Sequence, residues 1–279
     1  SGTHEIAGGS AANTMAGIAS LGGNGIYVGK VFDDRLGKVF GDSMASLGMT
    51  FTTAPACNGA STATCLIAVT PDGQRSMSTY LGACRELAPD DIDEEQVAGA
   101  HILYIEGYLW DQDAAKQAAR KSIAAVKGAG GRIALSLSDS FCVGRFRDEF
   151  LHLLDRDVNI LFANEDEAKA LFEQDDFDGV VEGAKKWGGI AALTRSAKGC
   201  VIVEEGMVHE IPAAPVSRVV DTTGAGDQFA AGFLYGLTHG KGLPDCGRLG
   251  ALAAAEVISH YGARPEVSLK ELAAKAGLI

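Results

Sequence analysis

The sequence predicts an α/β fold, a doubly wound and mostly parallel sheet with helices on both faces. Two observations carry that expectation. Short apolar runs of strand length alternate with helical patterns along most of the chain, and hydrophobic residues make up 47% of its 279 positions, enough for a large buried core. Residues 102–105 (Ile-Leu-Tyr-Ile) read as a buried strand, followed by a helix over 112–127. Residues 133–137 (Ile-Ala-Leu-Ser-Leu) read as the next strand, with a helix over 145–154. Residues 160–163 follow as a strand, then a helix from Asp166, and residues 191–194 form another strand. Strand–helix alternation at this spacing builds parallel sheets, and such sheets bind ligands beyond the carboxyl ends of their strands. No internal repeat or low-complexity linker divides the chain, so residues 1–279 are expected to form one domain.

Two regions break the rhythm. Between residues 60 and 82 the pattern is strand, turn, strand: residues 62–70 alternate and end at Pro71-Asp72-Gly73, a turn signal, and 75–81 resume an extended pattern. This is a β-hairpin inserted in an α/β chain. It reads as a lid over a site, or else as an edge hairpin with no role of its own. The start is also unusual. The first helix begins near Ser10, and residues 1–6 are too short and polar for the central strand that should open a doubly wound domain. A first strand is therefore expected to be missing from the chain.

Charge and cysteine usage exclude several classes. The net charge of -12 repels phosphate backbones, which argues against nucleic-acid binding but not against a nucleotide held in a local cradle of amides. None of the six cysteines forms a C-x-x-C pair and the six histidines are scattered, which argues against a zinc site. Runs such as Thr64-Cys65-Leu66-Ile67 and Gly199-Cys200-Val201 suggest reduced core thiols in a cytoplasmic protein. No apolar run is long enough for a membrane span, and no secretory signal is visible.

Neither a G-x-x-x-x-G-K-[ST] loop nor a G-x-G-x-x-G fingerprint occurs, which sets aside P-loop enzymes and weakens a dehydrogenase reading. What does occur is Asp221-Thr222-Thr223-Gly224-Ala225-Gly226-Asp227, leading into the small, apolar run Gln228-Phe229-Ala230-Ala231-Gly232-Phe233. The run reads as a buried helix with a Gly-Ala-Gly turn at its N-terminus, where unpaired amides and the helix dipole favour an anion and glycines permit close approach. A carboxylate beside a phosphate site is a poor anion ligand. Asp227 is better explained as a base taking the proton of an attacking hydroxyl than as a helix cap.

This string resembles the C-terminal signature of the ribokinase family, the PfkB carbohydrate kinases. Gly8-Gly9-Ser10-Ala11-Ala12-Asn13, continuing to Leu21-Gly22-Gly23, resembles that family's N-terminal signature, and the similarity runs from Gly8 to about Pro265. The resemblance implies a ribokinase-like three-layer α/β/α domain with a small β-sheet lid, and a kinase using ATP and Mg²⁺. It implies that Asp227 is the general base, with Gly224, Ala225 and Gly226 supplying an anion hole. Asn164-Glu165-Asp166-Glu167 resembles the family's N-x-x-E motif, which places Asn164 and Glu167 near magnesium and the phosphates; an acidic helix start stabilised by its dipole is the other reading. Thr194-Arg195-Ser196-Ala197-Lys198-Gly199 is similar to the T-x-G-x-x-G nucleotide loop with Ser196 in place of its first glycine, so Thr194 and Gly199 are expected at ATP. His260 is expected at the adenine-side wall, or simply at a helix end. Gly9 and Asn13 resemble the residues that hold the acceptor's hydroxyls. The resemblance places the family's acceptor-binding aspartate on the first strand, the one expected to be missing. Some members bind K⁺ through the loop that corresponds to Asp221 and Thr223.

Arg75-Ser76-Met77 and Leu81-Gly82-Ala83-Cys84 are similar to the adenosine kinase branch, which makes adenosine the first choice of acceptor, phosphorylated on its 5′-hydroxyl. A free sugar such as ribose, fructose or ketodeoxygluconate is the alternative, and a non-catalytic nucleoside or nucleotide sensor a third. The hairpin's open edges could pair with a second copy in a homodimer or close over the substrate.

Overall fold

The computed structural model describes residues 5–70 and 75–279. The turn at Pro71-Asp72-Gly73 lies outside them. The chain opens with helices α1 (Ser10–Leu21) and α2 (Arg35–Ser46), then the hairpin β1 (Thr64–Val69) and β2 (Arg75–Tyr80), a short α3 (Glu94–Ala98), and strand β3 (Ile102–Glu106). Strand and helix then alternate: α4 (Asp113–Gly128), β4 (Arg132–Ser136), α5 (Ser140–Arg156), β5 (Ile160–Asn164), α6 (Glu165–Phe172), α7 (Phe177–Trp187), β6 (Ile190–Thr194). The chain closes with β7 (Cys200–Glu204), β8 (Met207–Ile211), α8 (Ala225–Thr238), α9 (Leu243–Val257) and α10 (Leu269–Lys275).

The main sheet runs in the order β3-β4-β5-β6-β7-β8. The first four strands are parallel and the last two antiparallel. Successive strand residues face opposite sides, and both sides are covered. Ile133, Leu135, Leu161, Ala163, Ala191 and Leu193 pack under α4–α7. Their neighbours Ala134, Ile160, Phe162, Ile190 and Ala192 pack against Phe229, Ala230 and Phe233 of α8. This double burial is why these strands read as continuous apolar runs rather than alternating ones.

Helix α8 is buried on every side from Gln228 to Gly236, as its small-residue composition implies. It approaches its neighbours closely. A Cβ at Gly232 would meet the Leu249 carbonyl oxygen at 2.4 Å, and one at Gly17 of α1 would meet the Ala231 Cβ at 2.6 Å. The two glycines therefore set how near α9 and α1 stand to α8, and so where the N-termini of α1 and α8 meet.

Four expectations need correction. The helix over 145–154 starts earlier, at Ser140, because the Asp139 carboxylate caps it by accepting from the Cys142 N–H at 2.6 Å. The β7–β8 hairpin escaped the apolar pattern; its two-residue turn Glu205-Gly206 has φ of 48° and 82°, the twist a tight hairpin requires. Only Cys142, Cys200 and Cys246 are core thiols, whereas Cys57, Cys65 and Cys84 are exposed. Cys65 sits in β1, which stands off the main body with Leu66 and Ile67 also exposed. Lastly, the apolar run 102–105 extends one residue further, to Glu106, with consequences given below.

Among the described residues no helix is long and apolar enough to cross a membrane.

Candidate active site

The site gathers at the carboxyl ends of the parallel strands. β3 and β4 end side by side with Glu106 paired to Ser136, and β5 and β6 with Asn164 paired to Thr194. The N-termini of α1 and α8 are directed at this edge. Gly9, at φ 98°, turns the chain into α1, a conformation that favours glycine, and the Asn13 N–H makes the first helical bond to its carbonyl at 2.8 Å.

Gly224 does the same for α8 at φ 80°, and a Cβ there would lie 2.6 Å from the Ala263 Cβ and 2.8 Å from its carbonyl oxygen. Only glycine fits that turn. Gly226, by contrast, faces open space. The first amides of α8 have no partners within the helix; the Ala225 N–H reaches back to the Thr222 carbonyl at 3.3 Å, and the turn sets the positive end of the helix dipole at this edge. That arrangement suits a phosphate.

Asp227 does not cap its own helix. Its Oδ1 accepts from Ser10 Oγ at 2.6 Å and its Oδ2 from Asn13 Nδ2 at 2.9 Å, both on α1. Two side chains from the N-terminal signature thus orient the carboxylate of the C-terminal one, 217 and 214 residues away in sequence. Gln228, fully buried, fastens the same junction: its Nε2 donates to the Asn13 carbonyl at 2.8 Å and to the Ala263 carbonyl at 3.0 Å.

Glu106 was not foreseen. Its Oε1 lies 2.8 Å from Ser10 Oγ, which places a second carboxyl one hydroxyl away from Asp227. Burial, reinforced by the Asp227 charge, pushes its carboxyl up to about 8. The available signal was an apolar strand ending in a lone acid followed by glycine, at the edge where parallel sheets bind ligands.

The loop before α8 is held by Asp221, which is buried. Its Oδ1 accepts from the Thr223 N–H at 2.9 Å and from Thr223 Oγ1 at 2.7 Å, and its Oδ2 from the Gly262 N–H at 3.1 Å. Asn164 and Glu167 form a reciprocal capping box at the start of α6. Glu167 Oε2 accepts from the Asn164 N–H at 2.9 Å, its Oε1 from Asn164 Nδ2 at 2.6 Å, and Asn164 Oδ1 from the Glu167 N–H at 2.9 Å. Burial raises the Glu167 carboxyl to about 7, with the Asn164 N–H opposing the rise.

The remaining expected residues lie further from this junction or are otherwise engaged. Thr194 ends β6 beside Asn164. Gly199 is buried against the backbone of 211–213, where a Cβ would meet the Ile211 carbonyl oxygen at 2.1 Å, so its glycine serves the β6–β7 turn itself. Ser196 keeps the left-handed backbone of the glycine it replaces, with φ 51°. Ser196→Gly is expected to stabilise the protein by about 0.5–1 kcal/mol, the left-handed penalty less the greater chain entropy of glycine. A thermal melt should show a Tm rise of about 1–3 °C; a lower Tm would mean that the serine side chain outweighs its strain. His260 has both ring nitrogens engaged, Nε2 3.1 Å from Glu256 Oε1 and Nδ1 3.1 Å from the Tyr261 carbonyl, just beyond the end of α9.

The description "pfkB family carbohydrate kinase" matches residues 1–269. The chain belongs to that family. An adenosine kinase from Sinorhizobium meliloti, known as a crystal structure, is 47% identical, with a TM-score of 0.96 over 99% of this chain and 85% of that one. A probable sugar kinase protein from Rhizobium etli CFN 42 is also 47% identical, with a TM-score of 0.95 over 98% of this chain and 83% of that one. An uncharacterized sugar kinase of Archaeoglobus fulgidus is 30% identical over 254 residues, which is 89% of this chain and 96% of its own length. The fold of this pfkB-family chain is therefore ribokinase-like, with its separate two-stranded sheet β1–β2, and the protein is a phosphotransferase acting on a sugar or a nucleoside.

Proposed function

We propose that the protein transfers the γ-phosphoryl group of ATP to a hydroxymethyl group of a nucleoside, adenosine first among them. The observation that carries this reading is the position of Asp227, set in the first turn of α8 beside the Gly224–Gly226 amides and oriented by Ser10 and Asn13. The acceptor lies against Gly9 and Asn13, and Asp227 takes the hydroxyl proton as that oxygen bonds to the γ-phosphorus. The bond from the γ-phosphorus to the β–γ bridging oxygen breaks, releasing ADP. The amides of residues 224–226 stabilise the charge on the transferring group.

Mg²⁺, when bound, neutralises charge on the phosphates. Glu167 has both oxygens engaged by Asn164, so these two residues suit a magnesium ion that keeps its waters between itself and the protein. Thr194 and the turn ending at Gly199 border the nucleotide. The loop held by Asp221 and Thr223 is the place for a monovalent cation such as K⁺, tested by comparing turnover in potassium and in tetramethylammonium salts.

Two observations favour a nucleoside over a free sugar. Tyr108 and Phe141 are 45% and 82% exposed; Tyr108 lies in the short 3-10 turn after β3 and Phe141 in the first turn of α5 after β4, and Tyr108 Oη bonds the Ser138 carbonyl at 3.3 Å. Exposed rings here offer a face to a base. The second is the adenosine kinase likeness at 47% identity. The sugar reading is favoured by the probable sugar kinase of equal identity, 47%, and by the sugar kinase at 30%.

The lid hairpin has Leu66 73% and Met77 52% exposed. A two-stranded sheet this bare is marginal alone, and it either closes on the acceptor or pairs with a second copy. Its base is fixed, since Thr62 Oγ1 donates to Asp34 Oδ1 at 2.7 Å and the Ala83 N–H to the Ser61 carbonyl at 2.9 Å.

The test is ADP release from ATP·Mg²⁺ with adenosine, guanosine, ribose, fructose and ketodeoxygluconate, with mass by light scattering on the same preparation. Saturable turnover with adenosine is expected. Turnover with a sugar alone would overturn the acceptor and keep the chemistry. ATP binding with no turnover on any of the five would favour a sensor. A monomer by mass would assign the lid to substrate closure.

A further inference from the structure

Ser10 poses a problem of proton count. Its hydroxyl carries one proton, yet its Oγ lies 2.8 Å from Glu106 Oε1 and 2.6 Å from Asp227 Oδ1. If both carboxyls were ionised, one of these contacts would set two lone-pair-bearing oxygens against each other with no hydrogen between them. One carboxyl must therefore bring a proton of its own. Asp227 has a second donor in Asn13 Nδ2 at 2.9 Å. Glu106 is only 7% exposed, and its other oxygen, Oε2, is buried without a hydrogen-bond partner. A buried oxygen without a donor suits the carbonyl half of a neutral carboxyl far better than half of an anion.

We propose that Glu106 is held as a neutral acid that donates to Ser10 Oγ, so that Ser10 must donate to Asp227, making Glu106 a positioning residue for the base. The arrangement is directional: Glu106 carboxyl to Ser10 hydroxyl to Asp227 carboxylate. It keeps Asp227 ionised, because the pair's single resting proton stays on the deeper group. It also fixes the Asp227 rotamer from two sides, through Ser10 on Oδ1 and Asn13 on Oδ2. On transfer Asp227 gains the acceptor's proton, so the pair then holds two, and the second leaves to solvent as the product departs.

Burial and the acids around Glu106 support the neutral form, while the Ser10 hydroxyl and the nearby Tyr104 hydroxyl pull the other way without reversing the rise. Asp227 on α8 and Glu167 on α6 are acids that oppose a second negative charge. Tyr104 on β3, Tyr108 beyond β3 and Tyr27 before α2 also feel it, and burial raises each of their hydroxyls. The sign follows from a carboxyl raised to about 8: the bridge is intact below that pH and is lost as Glu106 ionises above it. Two anions then compete for one serine proton, Asp227 loses its fixed rotamer, and turnover falls on the alkaline side.

This inference rests on Asp227 being the base, but its first test needs no acceptor. In protein carrying labelled glutamate carboxyl carbons, an NMR titration should find Glu106 still protonated at about pH 7 and ionising near pH 8. Its signal is identified by loss in whichever of Glu106→Gln and Glu106→Asp folds. A Glu106 already ionised at neutral pH would overturn the proposal, whatever the activity. The second test is the pH profile of kcat. Wild type is expected to fall about tenfold between about pH 7 and pH 9, whereas Glu106→Gln, whose amide donates to Ser10 at every pH, should change less than about twofold over that range. An alkaline fall unchanged in Glu106→Gln would also overturn it. A protonated Glu106 in a protein that phosphorylates none of the five acceptors would support the shared proton and count against the acceptor assignment instead.

Discussion

Asp227→Asn is expected to lower kcat by about 10³, within the range typical of a lost general base, while leaving ATP binding and the melting temperature close to wild type. The reason for expecting an intact fold is local. Ser10 Oγ, 2.6 Å from Oδ1, can still donate to the new amide oxygen. Asn13 would face an amide nitrogen in place of Oδ2, but Asn13 Oδ1 is buried without a partner, and a flip of its amide turns a donor–donor conflict into a hydrogen bond. The substitution therefore removes the proton acceptor while both contacts to α1 can be kept. Steady-state ADP release with the best acceptor, alongside calorimetric ATP binding, measures both halves. A kcat within about tenfold of wild type would remove Asp227 from the role of base.

Gly224→Ala is expected to damage stability and turnover together. At φ 80° an alanine pays a left-handed penalty of about 1–2 kcal/mol, and its Cβ would sit 2.6 Å from the Ala263 Cβ and 2.8 Å from backbone atoms that cannot rotate away. The loop or the first turn of α8 must shift. A loss of about 2–4 kcal/mol is the expected sum of strain and displaced packing. Because the same turn presents the amides of residues 224–226, a displacement of order 1 Å should also cost about 10² in kcat.

Gly226→Ala separates the two effects. Nothing lies within 4 Å of a Cβ there, so stability should hold. The methyl group enters the open space in front of the helix, and turnover should fall about tenfold or more if a phosphate has to approach that backbone closely. Thermal melts and ADP release on the pair decide the matter. Full activity in Gly226→Ala would place the phosphate elsewhere, and a stable, active Gly224→Ala would mean that the turn relaxes without consequence.

The family and the layer architecture were legible because both rest on local chemistry. The runs at 102–105, 133–137, 160–163 and 191–194 are apolar throughout because their strands are covered on two faces, and that leaves a mark on every residue. The Gly-Ala-Gly-Asp string and Gly8-Gly9 are legible for a related reason: Gly9 and Gly224 have positive φ, which restricts them to residues without a side chain. Ser196, like Ser138, Glu173 and Glu205, holds a left-handed backbone in a residue type that does not announce it. His260 and Gly199 show that a residue type suited to a nucleotide site can also serve the fold's own contacts.

The sequence by itself determined the α/β class, the inserted hairpin, the glycine-rich helix start and the carboxylate beside it, because a strand, a turn and a helix start each depend on residues that are neighbours in the chain. Only the tertiary structure decided which groups surround that carboxylate. Ser10 and Glu106 are 96 residues apart, and Ser10 and Asp227 are 217 apart. Their bridge exists because Gly17 and Gly232 let α1 and α9 close on α8, and because β3 carries Glu106 to the same edge. A buried carboxyl's charge state depends on solvent exclusion and on the charges around it, and both are properties of the packed molecule rather than of any segment.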